Sequence, residues 1–333
     1  MLATKVLCAL NLNTHLFILS DNAIVYSGPL IGILLCTFNG AKYLKEQLDS
    51  ITNQDYKNWR LFVSDDGSMD ETLKILCLFK KISNDDRVII LKGPGKGPSL
   101  NFLSLINLTY QHCDYLAFCD QDDIWYTNKL SRAVQTLEKN STSLPAMYCS
   151  STTYISETGI ILQNSYIFKN PPSFKNALVQ SIAGGNTMVF NQAAASLLSR
   201  TQNCESIVAH DWWTYILVSA FSGNIFYDPN PTLYYRQHSG SLVGENRSIK
   251  AKIIRTHKLL DGRYKSWNIK NLEAIAFFIN QLPSENKKVF IHYEKIRSKF
   301  FFVRIYSFYY SGVKRQTLFG NIALFIGVIL NRV

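Results

Sequence analysis

The sequence predicts an α/β fold, a mostly parallel sheet flanked by helices, followed by a basic, aromatic helical tail. Three observations carry that prediction. Between residues 31 and 139, short apolar runs alternate with amphipathic stretches, the rhythm of strand–helix–strand units. Three of these runs end on polar clusters, the place where open parallel sheets bind their ligands. The charge is also segregated: residues 1–247 hold 19 Lys/Arg against 20 Asp/Glu, net −1, whereas residues 248–333 hold 16 against 4, net +12.

The elements follow in order. "IGILLCT" (31–37) is a short apolar run, as a strand buried on both faces requires. Asn39-Gly40 supplies a turn, and Leu44, Leu48 and Ile51 at i, i+4, i+7 predict a helix over 41–52. "RLFVS" (60–64) is the next strand. Ser68 and Glu71 then stand at capping-box spacing and open a helix toward Leu78. A third strand, "RVIIL" (87–91), leads through the Gly/Pro-rich "KGPGKGPS" to a helix over 99–111. A fourth, "YLAFC" (115–119), ends at "DQDD", and Lys129, Leu130, Val134 and Leu137 mark the helix after it.

Composition bounds the alternatives. A chain of 333 residues with 47% hydrophobic and 18% charged residues has ample material for a core and is not a disordered tail. The seven cysteines are odd in number and form no C-x-x-C pair, which favours buried thiols in a reducing compartment over disulfides or zinc. The N-terminal apolar run is broken by Asn11, Asn13 and His15 and lacks the pattern of a secretory signal. The longest apolar stretch, from Leu318 to Leu330 with Asn321 inside it, is too short to span a bilayer untilted.

The polar clusters set the chemistry. Asp70 reads as a helix cap, a role worth about 1 kcal/mol that needs no ligand. Asp65 and Asp66 exceed what one cap requires, and a carboxylate at a sheet edge can accept the ring N–H of a pyrimidine base. In "DQDD" three carboxylates repel one another unless a cation or protons neutralise them. An Asp-x-Asp pair at the sheet mouth suits Mg²⁺ or Mn²⁺ carrying a diphosphate; a solvated acidic turn is the plainer alternative. Gly184-Gly185 implies close backbone approach. Asp211, beside His210, Trp212 and Trp213, is either a helix cap or a partly desolvated general base. Arg236 and His238, on a Gly-containing loop, would neutralise a diphosphate or complete a metal site, or simply face solvent.

These motifs, taken together and in order over residues 31–245, resemble family 2 glycosyltransferases of GT-A fold. The bacterial branch that includes rhamnosyltransferases of O-antigen and cell-wall polysaccharide assembly is the most similar. The resemblance implies inverting transfer of a sugar from a nucleotide-diphosphate donor, UDP- or dTDP-linked, to a hydroxyl acceptor. It implies that Thr37, Asn39, Asp65, Asp66, Asp120 and Arg236 bind the nucleotide-sugar, with Asp65 recognising the base. It further implies that Asp122 and His238 hold Mg²⁺ or Mn²⁺, and that Asp211 is the catalytic base. Gly184, Gly185, Trp212 and Trp213 would shape the sugar or acceptor pocket. The Gln-x-x-Arg-Trp signature of processive synthases is not in the sequence, which points to addition of single residues.

Three segments are expected: residues 1–29 of unassigned role, a transferase domain over 30–247 divided near 125, and a basic helical segment over 248–333. The last reads as an appendage for the cytoplasmic face of the inner membrane, where the acceptor would be a lipid-linked glycan; packing on the catalytic domain is the alternative. A sugar-nucleotidyltransferase would need a Gly-rich signature with Arg at the first strand end, where "CTFNGAKY" has no Arg. A nucleic-acid-binding protein would need positive charge at the sheet, and that region is net −1.

Overall fold

The computed structural model describes residues 27–83, 86–140, 143–201, 204, 206–238 and 263–333. Most of the expected N-terminal segment and residues 239–262 lie outside these. Strand β1 (Ile31–Thr37) is followed by α1 (Leu44–Thr52), β2 (Trp59–Asp65), α2 (Thr72–Ser83), β3 (Val88–Lys92), α3 (Pro98–Thr109) and β4 (Tyr115–Cys119). Then come β5 (Ile124–Trp125), α4 (Lys129–Lys139), β6 (Ala146–Ser150), β7 (Thr153–Ile155), β8 (Ile161–Asn164) and α5 (Phe174–Ala177). A 3₁₀ turn (Gly185–Thr187) precedes β9 (Val189–Asn191), α6 (Gln192–Ser199), α7 (His210–Ala220), β10 (Asn224–Asp228) and β11 (Leu233–Arg236). Four helices close the chain: α8 (Arg263–Ala276), α9 (Ser284–Lys295), α10 (Phe301–Ser311) and α11 (Leu318–Ile329).

The main sheet has the order β10-β6-β9-β4-β1-β2-β3, parallel except for β9, which runs antiparallel between β4 and β6. From β1 the chain steps outward to β2 and β3, then returns to place β4 on the other side of β1. The reversal leaves a crevice beyond the carboxyl ends of β1, β2 and β4. Register brings Thr37 opposite Asp65 and Leu35 opposite Cys119, so the three polar clusters share one rim. A second sheet, β5-β11-β7-β8, stands beside this rim and was not legible as strands in the sequence.

Period-two alternation puts Ile31, Ile33 and Leu35 on one face of β1 and Leu34 and Cys36 on the other. The first set packs with Leu44, Leu48 and Leu130 of the covering helices; the second packs with Phe102, Phe118 and Trp213. Two helix starts differ from the sequence expectation. Residues 40–43 turn before α1, with the Tyr43 N–H bonded to the Gly40 carbonyl. The Ser68–Glu71 capping box does not form: α2 begins at Thr72, because the Ser68 hydroxyl is engaged by Asp65 and by the Asn39 N–H. Among the described residues no disulfide joins the cysteines, and burial pushes the Cys113 thiol up to about 12.

The C-terminal helices share the larger core. Phe278, Val289, Phe290, Tyr293, Leu324 and Val328 belong to the same apolar cluster as Trp213 and Phe118. Tyr264 and Tyr293 donate to the carbonyls of Val179 and Leu178, and Asn176 donates to that of Lys314. Buried Arg304 reaches from α10 to the last carbonyls of α11, Val328 and Ile329, and to those of Ser298 and Lys299. No described helix is long and apolar enough to cross a membrane. Hydrogen bonds from a charged donor contribute about 1.5–3 kcal/mol. Arg304→Leu should therefore loosen the α10–α11 pair by about 2–4 kcal/mol, read as earlier denaturant unfolding of those helices, with nucleotide binding retained.

Candidate functional site

The loop after β1 is held open by side chains from the loop after β2. Asn39 adopts a left-handed conformation (φ 48°), which an Asn tolerates. The N–H groups of Asn39, Gly40 and Ala41 donate in turn to Ser68 Oγ (2.8 Å), Thr72 Oγ1 (2.8 Å) and Asp70 Oδ2 (3.0 Å). Asn39 Oδ1 returns the bond by accepting from the Met69 N–H. Gln121 fastens the same loop to the β4 end, accepting from the Phe38 N–H and donating to the Phe38 carbonyl. A Cβ on Gly40 would stand 2.1 Å from Gln121 Oε1, so glycine is the residue that fits.

The two carboxylates after β2 differ in availability. Buried Asp65 accepts from Thr37 Oγ1 (2.8 Å), Ser68 Oγ (2.5 Å), the Ser68 N–H (2.8 Å) and the Gly67 N–H (3.2 Å). A carboxylate offers about four acceptor positions. Internal donors occupy them in this structure, so Asp65 organises the loop. Thr37, 1% exposed, orients Asp65 from below. Half-buried Asp66 instead reaches the loop before α3, accepting from the Gly95 and Gly97 N–H groups.

The acidic turn after β4 splits into three roles. Asp123 is fully buried; its carboxylate accepts from Asn186 Nδ2 and, at 3.4 Å, from the Arg236 N–H. Burial, then repulsion from Asp122 and Asp120, raises its pKa well above the ordinary range. Asp122 points outward to His238, Oδ2 to Nε2 at 2.7 Å. Asp120 lies between, its carboxyl pushed up to about 7 by burial first and then by the charges of Asp122 and Asp211. Beneath them Lys129, wholly buried, donates to the Asn186 carbonyl (2.7 Å) and sits over the Trp125 ring (4.5 Å). Burial drives this lysine down to about 7 against the pull of Cys119, Asp123 and Asp120.

Arg236 departs from the sequence expectation. It is 2% exposed, and its guanidinium donates to the carbonyls of Asp122 (3.1 Å) and Glu157 (3.0 Å) and to Glu46 Oε2 (2.8 Å), with the Tyr43 ring 4.7 Å away. A guanidinium so enclosed positions the Asp122 backbone. His238, two residues on, does reach the rim.

Asp211 opens α7 within reach of the acidic turn. It accepts from the N–H groups of Trp212 (2.6 Å) and Gly185, both of which favour its charged form, yet burial raises its pKa overall. Beside it His210 packs between Phe102 and Phe118, ring centroids 4.1 and 4.7 Å away; burial holds its pKa near 3, so the imidazole is neutral. Gly185 fits tightly here: a Cβ would come 2.4 Å from His210 Nε2. Gly184 is exposed on the preceding turn. Trp212 and Trp213 are core residues, bonded through their indole N–H groups to the Ala177 carbonyl and Thr201 Oγ1. Their expected place in a sugar or acceptor pocket is corrected: both rings serve the packing of α7.

Thus Asp66, Asp120, Asp122, Asp211 and His238 converge on one rim, while Asp65, Thr37 and Arg236 support it from inside. Sequence reading did not assign Lys129, Gln121, Asn186 or Glu46. Only Lys129 left a signal, a lysine on the apolar face of a helix beside Leu130 and Val134.

The profile of the glycosyl transferase family 2 domain matches residues 32–198, which spans β1 through α6. This chain belongs to glycosyl transferase family 2. Within the family, dTDP-rhamnosyl transferase RfbG of Shigella flexneri is 30% identical over 259 residues, covering 74% of this chain and 88% of that protein. The Escherichia coli enzyme named UDP-Glc:α-D-GlcNAc-diphosphoundecaprenol β-1,3-glucosyltransferase WfgD is 31% identical over 118 residues, 34% of this chain and 43% of its own. Staphylococcus aureus TarS, solved with UDP, shares the fold at 14% identity and TM-score 0.52, covering 91% of this chain and 90% of that one. As a family 2 glycosyltransferase, the chain has the family's GT-A architecture, with its C-terminal helices packed onto it. Gly185→Ala should overpack the His210–Asp211 contact and cost about 1–3 kcal/mol, together with a fall in transfer rate larger than its effect on donor affinity. Denaturant melts and separate kcat and KM values check this.

Proposed function

We propose that this glycosyltransferase is inverting, divalent-metal-dependent and non-processive. In this reading it moves a sugar from a UDP- or dTDP-linked donor to a lipid-linked glycan in surface polysaccharide assembly, at the cytoplasmic face of the inner membrane. The observation that carries the reading is the juxtaposition of a desolvated carboxylate, Asp211, with the acidic turn whose Asp122 meets His238.

Direct displacement at an anomeric carbon needs a base for the acceptor hydroxyl. Asp211 serves: its raised pKa makes it a stronger base than a solvated carboxylate, and the N–H groups of Gly185 and Trp212 keep it oriented. As the acceptor oxygen bonds to the anomeric carbon, its proton passes to Asp211. The bond to the diphosphate breaks on the opposite face, so the configuration inverts. The name of the RfbG relative supports a dTDP-sugar donor, and that of WfgD supports an acceptor carried on a lipid diphosphate.

The donor set fits a divalent cation. Asp122 offers a hard carboxylate oxygen and His238 a ring nitrogen, 2.7 Å apart, and the repulsion that raises Asp120 is what a bound cation relieves. Among the described residues no cluster of three or more such side chains forms, so in this reading the cation would draw its remaining ligands from donor phosphate oxygens and water. When bound, it supplies neutralisation of the charge left on the diphosphate. A nitrogen ligand favours Mn²⁺ over Mg²⁺.

Asp211→Asn should lower transfer about 10²–10⁴-fold while leaving nucleotide binding intact; near-normal transfer by this variant would remove Asp211 from the mechanism. Because the base acts deprotonated and its pKa is raised, the transfer rate should fall on acidification from a pH above the ordinary carboxylate range. Asp211→Asn should abolish that limb of the pH profile. Chelation should stop slow hydrolysis of the donor sugar, and added Mn²⁺ should restore it in wild type but only at higher concentration in His238→Ala. Scanning nucleotide-sugars in the same assay identifies the donor.

A further inference from the structure

We infer that the α10–α11 hairpin is a lipid-facing wedge, seated in the interface of an anionic bilayer with its helices in the membrane plane. The inference deepens the reading of the acceptor as lipid-linked and rests on it for its purpose. The inner side of the pair is committed: Leu324 and Val328 lie in the core, Phe308 packs against that core, and Arg304 clasps the end of α11. The outer side is bare. Phe302 (83% exposed), Tyr309 (78%), Leu318 (72%) and Phe319 (84%) project from it, joined by Ile322 and Ile326 along α11. A stripe of this size on a soluble face marks an interaction surface.

Charge says what covers it. From Lys295 to the C-terminus the sequence carries seven Lys/Arg, six of them besides the buried Arg304, and no Asp or Glu. A second copy would bring two such surfaces together against their own repulsion, whereas anionic headgroups neutralise them while the apolar side chains enter the acyl boundary. The exposed Tyr306, Tyr309 and Tyr310 suit the headgroup level. At 12 residues α11 is about 18 Å long, too short to cross a hydrocarbon core of about 30 Å.

The wedge is also wired to the site. Gln316, in the turn between the two helices, accepts from the Asn170 N–H, donates to the Asn170 carbonyl and bonds Gln180. From Gln180 the chain reaches Gly185, the backbone partner of Asp211, within five residues, at most about 18 Å. The turn of the wedge is thereby tied to the segment that leads into Gly185.

The test uses the full chain and sedimentation with phosphatidylcholine vesicles, with or without about one-third phosphatidylglycerol. Wild type should bind the anionic vesicles, less so at high salt, and Phe319→Glu/Ile326→Glu should bind at least about tenfold more weakly. Donor hydrolysis without acceptor should be unchanged in that variant, which also reports that it is folded. In Phe319→Trp, brominated acyl chains should quench the added indole. Wild type that ignores anionic vesicles at low salt, a Glu variant that binds as well as wild type, or a wild-type dimer broken by the same substitutions would overturn the wedge. Loss of donor hydrolysis by wild type itself would instead overturn the transferase reading above.

Discussion

Asp123, a carboxylate that cannot reach water, is the point on which the rim depends. Burying an unpaired charge is costly, so the group must be bonded where it stands. Asn186 comes from the 3₁₀ turn, the Arg236 N–H from β11, and Lys129 braces Asn186 from below. Satisfying one buried acid therefore ties the β4 turn to the second sheet and to the segment leading into Gly185. With those three fixed, Asp122 meets His238 at the rim, and Asp120 lies close enough to Asp211 to feel its charge. The acidic turn thus holds one carboxylate, Asp123, bonded inside the protein and a second, Asp122, bonded to His238 at the rim.

The same economy governs the other side of the crevice. Asp65 is spent on four donors, and its cost of burial is offset by fixing the conformation of the β2 loop, which in turn holds the three N–H groups after β1. The rim is stiff before any ligand arrives. That is what the proposed displacement asks of its base and its charge-neutralising groups, since misplacement by about an ångström is enough to cost rate. The C-terminal helices pack onto this body: their inner faces finish the core, and large apolar side chains stay exposed on their outer faces.

Much of the fold was legible because burial imposes period. Strands β1 to β4 and the helices between them stand within a few residues of where apolar runs and i, i+4 spacing put them. The acidic turn, Asp211 and His238 were legible as a set, and they do converge. What failed were assignments of direction. Nothing in "VSDDGS" says that Asp65 folds back on Thr37 and Ser68 while Asp66 reaches for Gly95. Nothing in "YYRQH" says that Arg236 turns inward to the Asp122 carbonyl and Glu46 while His238 turns to the rim. Trp212 and Trp213 resembled pocket walls because aromatic residues serve cores and sugars alike.

By itself, then, the sequence determined the α/β class, the order of the elements, the rim on which the polar clusters gather and the separation of charge between domain and tail. These follow from local pattern, since periodicity and composition act on neighbours along the chain. Only the tertiary structure decided which carboxylates are enclosed by internal donors and which reach the rim. That depends on the donors each one meets, and Ser68, Asn186 and Arg236 come from positions 3 to 113 residues away.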